Sequence, residues 1–181
     1  MKKIFFMLWL AISGLSLHAQ FSSAVLQASG LTCAMCSKAI NNSLEELAFI
    51  QSVKPDIKNS AFNIQFKSGD QVNIDELRKA VEDAGFAIAK LRLSGRFDRV
   101  GVKNDEHVQL GSNTFHFLNV KDQTLDGNKQ ITIVDKSFLT IREFRKYSSA
   151  SQRPCVQTGK TAVCRMKEGI SGNTRIYHVT I

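Results

Sequence analysis

Ala24-Val25-Leu26-Gln27-Ala28-Ser29-Gly30-Leu31-Thr32-Cys33-Ala34-Met35-Cys36 is the stretch where an extended pattern gives way to a helical one. Ala24, Leu26 and Ala28 alternate with Val25 and Gln27, which predicts a short strand, and Gly30 breaks it. From Cys36 onward, Ile40, Leu44 and Leu47 recur at spacings of four and three, with Lys38, Asn41 and Glu45 between them, as on a helix with one buried face. Ile50 to Ile57 reads as a second strand, with Pro55 at an edge or bulge. In Ala61 to Lys67, Phe62, Ile64 and Phe66 alternate with Asn63 and Gln65, a half-buried strand, and Ser68-Gly69-Asp70 turns the chain. Asn73 and Glu76 form a capping box ahead of a helix with the apolar stripe Ile74, Leu77, Val81 and Ala84. Gly85 ends it, and Phe86 to Leu93 alternates into a last strand, with Phe86, Ile88 and Lys90 facing opposite to Ala87, Ala89 and Leu91. The predicted class is α+β: a ferredoxin-like βαββαβ unit over residues 23–94.

Two local motifs sit on that frame. The loop Gly30-Leu31-Thr32-Cys33-Ala34-Met35-Cys36 closely resembles the Gly-Met-Thr-Cys-x-x-Cys loop of the heavy-metal-associated domain family. That family includes copper chaperones and the periplasmic mercuric-ion-binding protein. Asp83-Ala84-Gly85-Phe86 resembles the Asp-Ala-Gly-Tyr/Phe end of the family's second helix. The resemblance spans about 70 residues and implies that Cys33 and Cys36 hold the metal. It further implies that Gly30, Leu31 and Thr32 shape the loop and that Phe86 forms an apolar lid. Leu31 stands where the family has a buried Met, a volume-conserving exchange.

The chemistry of the residues agrees. A thiolate is the ligand, and a helix start lowers a thiol's pKa through its unpaired N–H groups and its dipole. Two thiolates with no His or carboxylate nearby in sequence suit a low-coordinate soft ion, copper(I) first and mercury(II) next. Zinc prefers four ligands. Zinc-selective members of the family carry an acidic residue before the first Cys, where this chain has Thr32. Met35 is expected at the surface. Two other readings of Cys33 and Cys36 stay open: a disulfide formed on export, and a thiol–disulfide oxidoreductase. Ala34-Met35 is unlike the dipeptides familiar in the oxidoreductases.

The chain starts with Lys2 and Lys3, runs apolar from Ile4 to Leu17, and closes on His18-Ala19-Gln20. This describes a cleaved signal peptide over residues 1–19, too short to span a bilayer, so the protein is expected to be exported to a periplasm or secreted. Residues 20–94 carry eight Lys/Arg against eight Asp/Glu, whereas residues 95–181 carry fourteen against eight. The composition shift places a domain boundary at Ser94-Gly95. An exported chain with scattered basic residues gives no reason to expect nucleic acid as a partner, and a solvated face accounts for the charge.

Residues 95–181 read as β-rich. Strands are expected at 96–103, 114–120, 129–134, 161–166 and 175–181, with a turn at Leu125-Asp126-Gly127-Asn128. The Thr140/Glu143 capping box predicts a helix from Ile141 to Ser149, while the alternation of Leu139 and Ile141 leaves an extended strand as the other reading. Three strands, a helix and two strands match an OB-type small barrel. Cys155 and Cys164 flank a loop-forming Gln157-Thr158-Gly159-Lys160 and are expected to form a disulfide. A second metal site with His116 or His178 is the alternative; both histidines fall on the less apolar faces of their strands and are expected at the surface. The leading functional expectation is a non-enzymatic copper(I) binder that sequesters the ion or passes it to a metal-transfer partner. An oxidoreductase and a metal-sensing interaction protein acting through the second half are the alternatives.

Overall fold

The computed structural model describes residues 20–31, 33–161, 164 and 174–181. The segment read as a signal peptide lies outside them, as does Thr32. Strand β1 (Gln20–Ser29) buries Phe21, Ala24, Leu26 and Ala28, and Gly30 leaves it at φ +77°, a conformation only glycine adopts without strain. Helix α1 (Ala34–Glu45) turns Ile40 and Leu44 inward. Strand β2 (Ile50–Asp56) is followed by a 3₁₀ turn, Ile57–Asn59, and by β3 (Ala61–Phe66), which buries Phe62, Ile64 and Phe66. Helix α2 (Ile74–Asp83) starts where Asn73 Oδ1 accepts from the N–H groups of Asp75 and Glu76. It ends where Gly85, at φ +87°, lets the N–H of Phe86 reach the carbonyl of Val81. Strands β2-β3-β1 and then β4 (Ala87–Val102) lie side by side, the expected βαββαβ arrangement.

Strand β4 does not stop at Ser94. It runs on through Gly95, pairing with β1 as far as Gln20↔Arg96 on one edge and with β7 (Gln123–Ile133) on the other. The composition shift therefore falls inside a strand. The remaining elements are β5 (Glu106–Leu110), β6 (Asn113–Phe117), α3 (Ile141–Ser148), α4 (Cys155–Thr158) and β8 (Ile176–Thr180). Among the described residues one open sheet forms, ordered β2-β3-β1-β4-β7-β8-β6-β5. Only the β6–β8 pair is parallel.

Two expectations for the second half are corrected, and one strand is added. Among the described residues its strands form no closed OB-type barrel, because β7 pairs with the free edge of β4 and the sheet of the first half simply continues. Residues 125–128 do not turn the chain. They lie within β7, and Gly127 (φ +70°) and Arg99 (φ +46°) accommodate an irregularity where Phe97 faces Gly127 and Val100 faces Leu125. Strand β5, which carries His107, was not foreseen; it forms a hairpin with β6 across Gly111-Ser112. The strand expected at 161–166 falls mostly outside the described residues.

One apolar core joins the two halves. Phe21 meets Phe97 and Phe115 edge-on, at 6.3 and 5.6 Å between ring centroids, and residues from β1, β4, β6 and β8 share the same cluster. Phe115 and Phe117, with Tyr177 and Val179, face that core, so alternation turns His116 and His178 to the other face of the sheet. Phe144 from α3 and Val156 from α4 cover that face, packing with Leu118 and Val134. The two halves are also tied by Arg175, which donates to Asp75 at the start of α2 (3.0 Å) and to Asp135 (2.9 Å). Opposed by burial but supported by these two carboxylates, the Arg175 guanidinium is held above its ordinary pKa.

Candidate metal centre

Cys33 caps α1 in extended conformation (φ −144°, ψ 156°), and its Sγ accepts the N–H of Cys36 at 3.2 Å. No acidic residue sits in the first turn, so the helix N-terminus presents uncompensated positive potential to both sulfurs. Cys33 is exposed and Cys36 half-buried, while Met35 projects outward at 73% exposure. In the structure Cys33 and Cys36 are joined by a disulfide, with Cα atoms 5.3 Å apart. The two sulfurs thus reach one point, and thiolate ligation there begins with reduction of that bond. Leu31 and Phe86 are partly buried and pack on the main core. Among the described residues no His, Asp or Glu completes a three-donor cluster with Cys33 and Cys36.

The second half brings Cys155, Cys164, His116 and His178 together, the grouping given as the alternative above, and adds His107, which that reading did not include. His107, His116 and His178 sit directly across from one another on β5, β6 and β8, and each pair in that row shares a face of the sheet. The rings of His107 and His116 stack at 4.2 Å, and those of His116 and His178 meet edge-on at 5.3 Å. Contrary to expectation, His116 and His178 have 0% exposure, because α3 and α4 cover the face that alternation had assigned to solvent. Thr114 to Leu118 contains no strongly polar side chain except His116, a run that signals a strand buried on both faces. Cys155 and Cys164 are disulfide-bonded over this row. Cys155 belongs to a single helical turn ended by Gly159 (φ +64°), and its Sγ lies 3.5 Å from His107 Nε2.

Carboxylates orient two of the imidazoles. His116 Nε2–H donates to Asp105 at 2.8 Å, and His178 Nδ1–H donates to Asp135 at 3.2 Å. Burial and the neighbouring His107 and His178 push His116 down to about 3, and burial with the nearby Arg153 cation pushes His107 down to about 4. Burial opposes ionisation of Asp135, but the hydrogen bond from His178 and the charge of Arg175 hold its carboxyl well below the usual range. The nitrogens left over, His116 Nδ1 and His178 Nε2, are buried and have no hydrogen-bond partner among the described residues.

The family model for the heavy-metal-associated domain matches residues 25–87. The copper chaperone CopZ of Bacillus subtilis (strain 168) is 31% identical over 65 residues, which are 36% of this chain and 93% of CopZ. A copper-transporting ATPase of Helicobacter pylori (strain ATCC 700392 / 26695) is 34% identical over 61 residues, 34% of this chain but only 8% of the ATPase. This chain therefore spans a small part of that transporter. Among solved structures, a CopZ metallochaperone is 22% identical, covers 38% of this chain and all of its own, and superposes with a TM-score of 0.35. Oxidized MerP from Ralstonia metallidurans CH34 is 18% identical over 39% of this chain and 96% of its own, also at 0.35. The family match ends at residue 87.

Proposed function

Since this chain belongs, through residues 25–87, to the heavy-metal-associated domain family, we propose that Cys33 and Cys36 bind a soft metal ion, copper(I), as cargo. The observation that carries the reading is the placement of both sulfurs at the N-terminus of α1, with Cys33 as the cap and exposed to solvent. Two thiolates there satisfy a low-coordinate soft ion, and their exposure lets an incoming thiolate of a partner replace them one at a time. Mercury(II) fits the same pair. Zinc(II) would need further donors that the described residues do not place beside the loop. The protein acts as a binder, not as an enzyme. It works outside the cytoplasm after removal of residues 1–19, and either sequesters copper or hands it to a transfer partner.

Reduced full-length protein should take copper(I) from a chromophoric chelator, and Cys33→Ser/Cys36→Ser should lose one equivalent relative to the parent. Equal uptake by the two proteins would sink the reading. N-terminal sequencing of the protein recovered from the periplasm or medium should begin near Gln20; recovery only from the cytoplasm would remove export. The Cys33–Cys36 disulfide and the exposed Cys33 favour one second reading, thiol–disulfide exchange. It requires turnover of a dithiol substrate without metal.

A further inference from the structure

The row of histidines in the second half contains two buried nitrogens with no partner among the described residues. Leaving a buried polar atom unpaired is costly, so two at one place point to an absent partner. The carboxylates show its charge. Asp105 and Asp135 each accept the N–H of a histidine, which leaves a lone pair on His116 Nδ1 and on His178 Nε2. A carboxylate behind an imidazole whose other nitrogen is bare is the arrangement that orients a metal-ligating histidine. The ligand atoms of His116, His178 and Cys155 lie within 4.8 Å of one another. A second set within the same limit, His107, Cys155 and Cys164, shares Cys155 with the first.

We propose that His116, His178 and Cys155 form a second, buried copper site, separate from the loop of the first half and available only when the Cys155–Cys164 disulfide is reduced. The donor types suit copper: a two-imidazole, one-thiolate set is a copper environment, and titration against zinc distinguishes the two metals. His107 and Cys164 line the fourth side, Cys164 as the residue that closes the site by oxidation. A dithiol reductant supplies two electrons and two protons, breaking the S–S bond to give two thiols, and is itself oxidised to a disulfide. Copper(I) then displaces the proton of Cys155, with no further change of oxidation state. None of this depends on Cys33 or Cys36, so failure of the first site leaves it intact.

The test uses the full chain carrying Cys33→Ser/Cys36→Ser, reduced with a dithiol that is then removed anaerobically and titrated with copper(I) against a chelator. One equivalent should bind, and X-ray absorption should show nitrogen and sulfur together in the first shell. Adding His178→Gln should weaken binding roughly 100-fold or more, since even the partners behind a ligand are worth 10–100-fold. Protein left oxidised should bind at least roughly 100-fold more weakly than the reduced form. No uptake, an all-sulfur shell, zinc retention without copper, or equal uptake by oxidised protein would each overturn the site. If His178→Gln does not fold, as judged by circular dichroism, the first shell of the histidine-intact protein decides alone.

Discussion

The two cysteine pairs of this chain sit in opposite environments. Cys33 and Cys36 cap an exposed helix start on the first half, with no histidine or carboxylate in their cluster. Cys155 and Cys164 are buried against a row of histidines held by carboxylates. An exposed dithiol can pass an ion to another protein because an incoming ligand reaches it directly. A donor set enclosed by α3, α4 and the sheet retains what it binds until the fold opens or the thiols oxidise. Under the two proposals above, equal numbers of sulfurs in one chain would serve exchange in one half and retention in the other, the difference coming from burial.

That contrast rests on the halves being one body with two differently exposed sites. Phe97, 1% exposed on β4 and in contact with Phe21, lies where the halves meet. Phe97→Ala should cost about 3–5 kcal/mol in chemical denaturation, and both parent and variant should unfold in one transition. Two separate transitions would divide the molecule.

Acid should act through the second half. His107 and His116 have folded pKa values depressed to about 4 and about 3, against 6.5 when free, so below pH 6.5 the unfolded chain takes up protons that the folded chain refuses. Stability should therefore fall as pH drops from 6.5 towards 4, by at most roughly 3 kcal/mol for each histidine and by less for half-buried His107, where solvent screens the charge, and stay level between 6.5 and 8 on this account. The depressed carboxyl of Asp135 adds a loss in the same direction, beginning only below the ordinary carboxylate value of 3.8. Thermal melts of metal-free protein across this range measure the slope. A rising Tm on acidification would mean that the imidazoles are charged in the folded state.

The smallest effect should separate the two sites most cleanly. Thr140 Oγ1 caps α3, accepting the N–H of Glu143 at 3.3 Å and donating to its carboxylate at 3.0 Å. Thr140→Ala should cost about 1 kcal/mol. In reduced protein it should also raise alkylation of Cys155 severalfold, by loosening α3 over the histidine face. Cys33, on the first half and away from α3, should react at an unchanged rate; equal acceleration at both would show that the cap acts globally.

The first half was legible because its information is local. Ile40 and Leu44, the Asn73 cap, the Phe62–Ile64–Phe66 alternation and Gly85 each declare an element from neighbouring residues, and the element order leads to βαββαβ. The Thr140 cap was readable in the second half for the same reason, and α3 begins there. His116 and His178 were misplaced because alternation distinguishes two faces but cannot tell whether helices cover the second one. The Leu125–Asn128 segment looked like a turn because glycine serves bulges and reversals alike.

By itself, then, the sequence determined the βαββαβ unit and the dithiol loop at the start of α1, since periods, caps and motif spacing act over a few residues. Only the tertiary structure decided that β4 carries the sheet past residue 94 and that β6 pairs in parallel with β8. The same non-local pairing sets half-buried His107 and buried His116 and His178 in one row beside Cys155. Those pairings join residues far apart in the chain, and their register depends on how the core packs between them, which no local pattern encodes.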